Sequence, residues 1–416
     1  MGRDTHTHFD VIVIGGGASG MMAAGRAAAC GRRVLLLEKN KHLGAKLAIS
    51  GGGRCNITNA EHDVRALLAH YGDAEQFLYS PFAQFGVAET FSFFEALNLP
   101  LVVQSRKRAF PQTERAEDVV AALIRYMRKG KVVVHTGARV TRIARTDEKI
   151  TGVAVSGTVY TAHSYIIATG GRSRPETGST GDGFRWLTKL GHEVSEPTPT
   201  IVPLAVAEPW VHALAGVSVS FMKITFFANG VKRFAKKGKL LFTHFGLSGP
   251  LILNSAAAVS DLLHAGEVTA TIDLFPDTDH GSLEAKVLKA LDANKNKMFR
   301  NVFSDIAPRG LAETVLSLAP SIDPEVPAHS VTREQRKEIV RLLKGLPISI
   351  TGLMGYDRAV VADGGISLRQ VDTKTMRSRL FSNLLVTGDL LHIRRPSGGY
   401  SLQLCWTTGF VAGSNA

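Results

Sequence analysis

Two glycine runs lie close together early in the chain: Gly15-Gly-Gly-Ala-Ser-Gly20, and Gly51-Gly-Gly53 followed by Arg54, Cys55 and Asn56. Glycine permits left-handed backbone and lets N–H groups approach a ligand closely. The first run satisfies G-x-G-x-x-G. It follows the β-branched stretch within Phe9–Ile14 and opens the alanine-rich "MMAAGRAAAC". Gly31 stops that helix, "RVLLLE" reads as a second strand, and Glu38 stands at its end. In this register Gly15 makes the tight turn, Gly17 brings backbone to a pyrophosphate, and Gly20 permits close helix–strand packing. Ala18 and Ser19 form the helix start that faces the phosphates. Glu38, with Lys39 beside it, accepts hydrogen bonds from an adenosine ribose. An acid here disfavours a ribose 2′-phosphate, which leaves FAD or NAD as the resident dinucleotide.

The second run differs from the first. No buried strand leads straight into it and no helix follows, so it is not another dinucleotide turn. Lys46, Ser50, Gly51, Gly52, Gly53, Arg54, Cys55 and Asn56 are expected to run alongside an extended cofactor; an ordinary surface loop is the alternative. Three further places fit the same ligand. Val140 opens the strand "VTRI", and "YIIATGG" ends in Thr169-Gly170-Gly171. "NLLVTGD" stops at Gly388-Asp389, where the carboxylate suits a ribityl or ribose hydroxyl. Gly398, Gly399, Tyr400, Ser401 and Leu402 then open a last helix, whose free N–H groups and dipole favour negative charge on a reduced flavin. His244, in "LFTHFGLSGP", reads as a structural histidine beside a strand-to-helix turn.

These residues need an α/β scaffold: a Rossmann-type domain of the two-dinucleotide-binding-flavoprotein kind. "QTERAEDVVAALIRYMRKG" over Gln112–Gly130 reads as a helix and "KVVVHTG" as a strand. "VTRI", "TGVAVSG" and "VYTAHSYIIATGG" read as a meander. From about Pro197 short strands with turn signals take over, Asn229-Gly230 marking a hairpin, and from Ser282 to Gly345 amphipathic helices dominate. The expected division is a cofactor domain at 1–196 plus 351–416, a β-barrel-like insertion at 197–281 returning through 346–350, and a helical insertion at 282–345. Gly364-Gly365 is expected to form a turn beside the cofactor. No second strand–GxGxxG–helix unit is present, so NADH or NADPH must dock transiently if it donates electrons.

The chain is ordinary in composition, with 44% hydrophobic residues in 416, but its 49 Lys+Arg against 36 Asp+Glu give +13. Such a balance favours anionic partners. Lys232, Arg233, Lys236, Lys237 and Lys239 cluster in "NGVKRFAKKGK" as candidate RNA contacts. Lys295, Lys297, Arg300, Arg333, Arg336, Lys337 and Arg341 add to the helical part, although a solvated face carries charge runs too. The three cysteines, Cys30, Cys55 and Cys405, have no metal-ligand spacing and suit a reducing compartment, so no metal is expected. The polar start lacks a signal peptide, and no apolar stretch spans a bilayer. A cytoplasmic protein with no membrane partner is expected; nothing here speaks to oligomeric state.

"VIVIGGGASGMMAA…LLLEK", "GAKLAISGGGRCNITN", "LFTHFGLSGP" and the closing "GD…GGYS" together resemble the BaiN/RdsA-type, or aminoacetone-oxidase-like, FAD flavoproteins over nearly the whole chain. The resemblance implies FAD, with the first glycine run at the pyrophosphate and the second near the flavin. It also implies a FAD domain carrying an insertion. Some members resemble ribosomal RNA dihydrouridine synthases, in which hydride would pass from flavin N5 to uridine C6 and an acid would protonate C5. That implies 23S rRNA or a ribosome assembly intermediate as partner. Others are linked to small-molecule steps, including bile-acid reduction and amine oxidation, and a flavin-bearing assembly factor is a third possibility. Some relatives carry a cysteine where this chain has Phe110-Pro111-Gln112, and an aspartate–glycine loop where it has "LLHIRRPSGGYS". His392, Arg394 and Cys55 are therefore the candidate catalytic groups.

Overall fold

Strand β1 (His8–Ile14), helix α1 (Ala18–Ala29) and strand β2 (Val34–Leu37) follow one another in the computed structural model, which describes residues 7–308 and 310–416. Val11–Ile14 and all of β2 are buried, as strands covered on both faces must be. Gly17 starts α1 without a side-chain cap, and Gly31, at φ +82°, turns the chain back after it. Short helix α2 (Ala45–Ala48) precedes the second glycine run, and β3 (Thr58–Asn59) follows it. Three helices come next: α3 (Val64–Leu68), α4 (Glu75–Gln84) and α5 (Val87–Ala96). The hairpin of β4 (Leu101–Gln104) and β5 (Arg108–Pro111) then joins β3 in a three-stranded antiparallel sheet. Helix α6 (Ala116–Lys129) has Glu117 and Asp118 in its first turn and Arg128 and Lys129 in its last, the arrangement its dipole favours.

Strands β6 (Val133–His135), β7 (Val140–Arg145), β8 (Ile150–Val155) and β9 (Thr158–Ile167) complete the main sheet, whose order is β6-β2-β1-β9-β8-β7. The pairs β6–β2, β2–β1 and β1–β9 are parallel; β8 and β7 add an antiparallel meander. After α7 (Asp182–Lys189), strand β10 (Val194–Ile201) leads the chain out of this unit.

The chain divides into one unit running through Pro199 and again from Ala359 to Ala416, and another at Thr200–Arg358. The second unit holds a closed barrel of β11 (Leu204–Val206), β12 (Ser218–Ala228), β13 (Val231–Thr243), β14 (Gly246–Ser248), β15 (Val268–Asp273) and β16 (Leu346–Leu353). Helices α8 (Pro209–Ala213), α9 (Pro250–Leu253) and α10 (Ala256–Ala265) connect its strands. Between β15 and β16 come α11 (His280–Ala293), α12 (Phe299–Ile306), α13 (Ala312–Ser317) and α14 (Arg333–Lys344). Asn229 and Gly230 are left-handed, at φ +51° and +75°, and close the β12–β13 hairpin. The return boundary lies later than the expected 351, because β16 stays in the barrel ladder to Leu353, opposite Leu204. The helical segment is not a separate unit: Lys344 of α14 reaches Asp273 of β15 at 2.7 Å, with both side chains mostly buried.

Back in the first unit, β17 (Val361–Ile366) pairs with β10, β18 (Leu384–Val386) extends the main sheet beside β9, and α15 (Tyr400–Asn415) closes the chain. Gly364 and Gly365 lie inside β17 rather than in the expected turn. A Cβ on Gly364 would come 2.5 Å from Pro197 Cα, and one on Gly365 2.4 Å from Leu390 O. Close backbone approach, to β10 at Gly364 and to the Gly388–Leu390 turn at Gly365, explains this pair. Helix α15 packs on α1 through glycine contacts: a Cβ on Gly409 would lie 2.5 Å from Ser19 O, and one on Gly413 2.4 Å from Ala23 O.

Candidate active site

The first glycine run is built as the dinucleotide turn requires. Gly15 has φ +108° and its N–H donates to Leu37 O at 2.8 Å. A Cβ at Gly20 would meet Gly15 O at 1.9 Å, so this position is closed to any side chain, whereas a Cβ at Gly17 meets nothing within 4 Å. Gly17 thus opens α1 toward free space, with the first-turn N–H groups uncapped by any side chain. Glu38 is buried. Its Oε2 accepts from Gly16 N at 2.6 Å and its Oε1 from Asn40 N at 2.8 Å. A carboxylate has about four acceptor sites, so both oxygens keep capacity for a ribose. An open cleft of about 480 Å³ lies beside this end, between Lys39, Asn40 and Arg139 on one side and Pro175, Gly178 and Thr180 on the other. Lys39 does not reach toward Glu38: its ammonium is held by Asp182 at 2.7 Å and Thr180 at 2.6 Å. Val140 is buried at the start of β7, two residues past Ala138, whose N–H donates to Glu38 O at 2.8 Å.

The second run has a rigid base and an open crest. Gly51, Gly52 and Gly53 are all left-handed and exposed, and a Cβ at Gly52 or Gly53 would meet nothing within 4 Å. Ser50 Oγ donates to Leu47 O at 2.7 Å and its carbonyl accepts from Cys55 N at 3.0 Å. Asn56 is turned inward. With its amide nitrogen facing the carbonyls it donates to Ala109 O and Thr58 O at 3.1 Å and accepts from Gly399 N at 2.9 Å, the orientation its neighbours dictate. It ties the run to the start of α15, so the Asn56 side chain positions the loop. Below it, Thr58 donates to Gln403 at 2.6 Å, Thr90 to the same amide oxygen at 3.0 Å, and Trp406 to Ile57 O at 3.0 Å. Sequence reasoning missed this buried polar anchor.

Around Asp389 the structure shows an ion-pair network. Asp389 Oδ2 takes Lys46 Nζ at 3.0 Å, Oδ1 takes Arg395 Nη2, and Lys46 also donates to Ser173 Oγ at 3.0 Å. Burial alone would raise the Asp389 carboxyl; the charges of Lys46 and Arg395 outweigh it and bring the pKa down to about 2. Arg395 in turn donates to Ser401 Oγ at 3.1 Å and to Ile393 O at 2.6 Å. Arg394, the candidate named from sequence, is exposed, whereas its neighbour Arg395 is buried and paired. Two consecutive arginines give no pattern that says which one turns in.

Cys55 also departs from expectation. It is fully buried in the core, and burial pushes its thiol up to about 12, with a Ser50 hydrogen bond acting weakly the other way. A thiol with that pKa is a poor acid at neutral pH. His392 is half-buried, three residues past Asp389. Its ring makes no hydrogen bond among the described residues, while its backbone N–H donates to Ile366 O at 3.1 Å. His244 is exposed at the β13–β14 hairpin turn, edge-on to Phe245, rather than beside a strand-to-helix turn.

The residues present fit an extended flavin dinucleotide. Thr169 Oγ1 and Thr387 Oγ1, just past the ends of the two strands expected to lie beneath it, are buried without a partner among the described residues, and such atoms call for an outside donor or acceptor. Gly170 and Gly388 are left-handed, at φ +71° and +65°, and Gly171 packs on Asp389 Cβ. Gly398 (φ +123°) and Gly399 (φ +105°) lead into α15, whose first turn at Tyr400, Ser401 and Leu402 has no side-chain cap. FAD would be held by Gly15–Gly20 and Glu38 at one end and by Lys46, Gly51–Gly53, Asp389 and the start of α15 at the other.

The candidate RNA contacts lie in the second unit, along β13. Lys232, Arg233, Lys236, Lys237 and Lys239 are all exposed. Lys236 donates to Asn254 O at 2.8 Å and Lys237 pairs with Asp277 at 2.6 Å. The helical cations are less uniform: Arg300 pairs with Glu325 at 2.7 Å, and Arg336 is half-buried against Val331 O. A feature missed from sequence is Phe221. The register slips between Val219 and Met222, leaving Ser220 and Phe221 opposite Lys239. Phe221 is 78% exposed with φ +61°.

No helix among the described residues is long and apolar enough to cross a membrane. Comparison with known proteins finds similarity along nearly the whole chain. It is 29% identical over 408 residues to the 3-dehydro-bile acid delta(4,6)-reductase of Clostridium scindens, covering 97% of this chain and 98% of that protein. It is 28% identical over 408 residues to the ribosomal RNA dihydrouridine synthase of Escherichia coli, covering 97% and 96%. Among solved structures, the 3-ketosteroid-delta4-(5alpha)-dehydrogenase of Rhodococcus jostii shares the fold, with a TM-score of 0.55 at 14% identity over 99% of this chain and 98% of that one. A model of the HI0933-like protein Rossmann domain matches residues 9–415. The chain therefore belongs to the HI0933-like family and is an FAD-dependent oxidoreductase.

Proposed function

We propose that this enzyme reduces the C5=C6 bond of a uridine in 23S ribosomal RNA to dihydrouridine, with NADH or NADPH docking transiently as electron donor. One observation carries the choice of RNA: the outward face of the β12–β13 hairpin combines cations with an exposed aromatic. By register, Lys237, Lys239, Lys223 and Phe221 share that face. Asp277 on Lys237 is the acid on it, and Asp273, opposite Lys223, is engaged by Lys344. Cations that track a backbone beside a ring on which a base can stack are what single-stranded nucleic acid binding uses. The relative named as a ribosomal RNA dihydrouridine synthase supports the same reading.

FAD, when bound, supplies the hydride chemistry. The protein's part is orientation and charge. The Lys46–Asp389–Arg395 network fixes the loop from Gly388 to Gly399, and the uncapped start of α15 favours negative charge beside it. His392 is the half-buried imidazole of this loop, the residue type that most often serves as a general acid. Replacing His392 with Asn is expected to cut turnover at least a hundredfold while FAD content stays unchanged; unchanged turnover would remove His392 from the chemistry.

A second reading, reduction of a double bond in a free small molecule, is favoured by the likeness to the bile-acid reductase. Nucleoside mass spectrometry separates the two. Digests of 23S rRNA from a deletion strain should lack one dihydrouridine that purified enzyme with NAD(P)H restores. An unchanged digest would leave the small-molecule reading.

A further inference from the structure

The turn into β5 concentrates positive charge that the oxidoreductase reading does not use. Arg106 and Lys107 are both left-handed, at φ +61° and +56°, a conformation that costs about 1–2 kcal/mol for each residue with a side chain. The turn is held in place regardless: Asn59 Nδ2 donates to Arg106 O at 3.3 Å and to Gly398 O at 3.2 Å. One side chain therefore links this turn to the glycines that open α15. Lys107 is neutralised by Glu61. Arg106 and Arg108 have no carboxylate partner among the described residues; the Arg108 guanidinium reaches only the Ser105 carbonyl and hydroxyl.

Arg54, which directly follows the second glycine run, completes the group. Its guanidinium lies 4.5 Å over the Phe110 ring, with Arg108 5.9 Å from the same ring. Gly51 is next to it: a Cβ there would touch Phe110 Cε1 at 3.6 Å. Arg54 contacts Glu114 at 3.5 Å and Gln104 at 3.4 Å. A single carboxylate thus faces three guanidinium groups. Burial, and then repulsion from Arg106 and Arg54, lowers the Arg108 pKa, so the three are close enough to oppose one another.

Like charges held together on a strained, anchored turn are relieved by an anion, and planar guanidinium forks match phosphate oxygens. We propose that Arg54, Arg106 and Arg108 form a phosphate-binding site beside the flavin-side loops, taking a phosphate of the reactant that approaches the flavin. The placement rests on the FAD oxidoreductase reading. The phosphate could belong to an RNA backbone or to a nicotinamide dinucleotide, and the test separates these.

Holoenzyme carrying Arg106→Gln or Arg108→Gln is compared with wild type and with Arg106→Lys. The measurements are FAD content, melting temperature, KM for NADH and NADPH, and Kd for a uridine-containing single-stranded RNA oligonucleotide with pyrophosphate as competitor. Losing one charge-assisted phosphate contact weakens binding about tenfold. If the phosphate is RNA's, the oligonucleotide Kd rises by that factor, its log–log salt slope falls by about 0.7 per phosphate lost, and the dinucleotide KM holds. If it is the donor's, KM rises and RNA binding holds. Arg106→Lys should recover part of either loss. Unchanged RNA and dinucleotide binding overturns the site. So does loss of FAD from Arg106→Gln, since the cluster would then serve the resident cofactor. If purified enzyme with NAD(P)H forms no dihydrouridine in 23S rRNA while the arginine variants still weaken dinucleotide binding, the uridine reading is retired and this site stands.

Discussion

Asp389 shows what a single carboxylate does between two cations. Its depressed pKa means the charged form is favoured in the folded protein, so the network adds stability above the ordinary carboxylate range. That stability is lost as pH falls through the folded value. From the ordinary 3.8 to about 2, the contribution is about 2 kcal/mol and disappears across roughly pH 4 to 2. Asp389→Asn should flatten that part of the acid-unfolding curve. It should also cost about 3 kcal/mol at pH 7, because Arg395 is left buried without its counter-charge; denaturant melts at pH 7 and pH 3 check both. The strand leading to Gly388-Asp389 was legible in the sequence, whereas the carboxylate's ion pairing with Lys46 and Arg395 was not. Choosing Arg395 over Arg394 depends on the path between Leu391 and Gly398. Cys55 misled for a related reason: a thiol beside a ligand loop looks reactive until its burial is known.

At the scale of elements, the strand–turn–helix–strand opening was readable because every local signal agreed. The glycines that join α1 to α15 were not, since they work across almost the whole chain. Gly413→Val would push its side chain against Ala23 O and Arg26 Cβ, where a Cβ alone already comes to 2.4 Å and 2.9 Å. Forcing two helices apart costs about 1–3 kcal/mol. The expected result is a lower melting temperature and released FAD, while the same change at Gly137, where a Cβ meets nothing within 4 Å, should act only through its left-handed backbone. Helices α3 to α5 escaped sequence reading because α4 carries Pro81 internally and α5 is aromatic on several faces, which blurs the helical period. Phe221 escaped because a strand bulge has no signature without glycine.

Across the whole molecule, charge is the property the sequence states most openly and explains least. Behind the excess of +13, cations gather on a barrel face in one unit and on an arginine turn in the other. Phe221→Ala should weaken single-stranded RNA binding by about 1–3 kcal/mol, the usual worth of one stacked base, with the flavin spectrum unchanged. Lys237→Gln with Lys239→Gln should instead reduce the salt dependence of binding. Anisotropy titrations from 50 to 200 mM salt distinguish the two. Equal loss in every variant would mean that the hairpin unfolds instead.

Because α15 is translated after the barrel strands and α14, the nucleotide unit lacks this wall until the chain from Tyr400 onward has emerged. The intervening barrel is continuous in sequence and can mature first, as domains emerging from a ribosome commonly do. Nascent chains stalled before Tyr400 should therefore stay colourless with an ordered barrel, so that coenzyme capture waits on the emergence of α15.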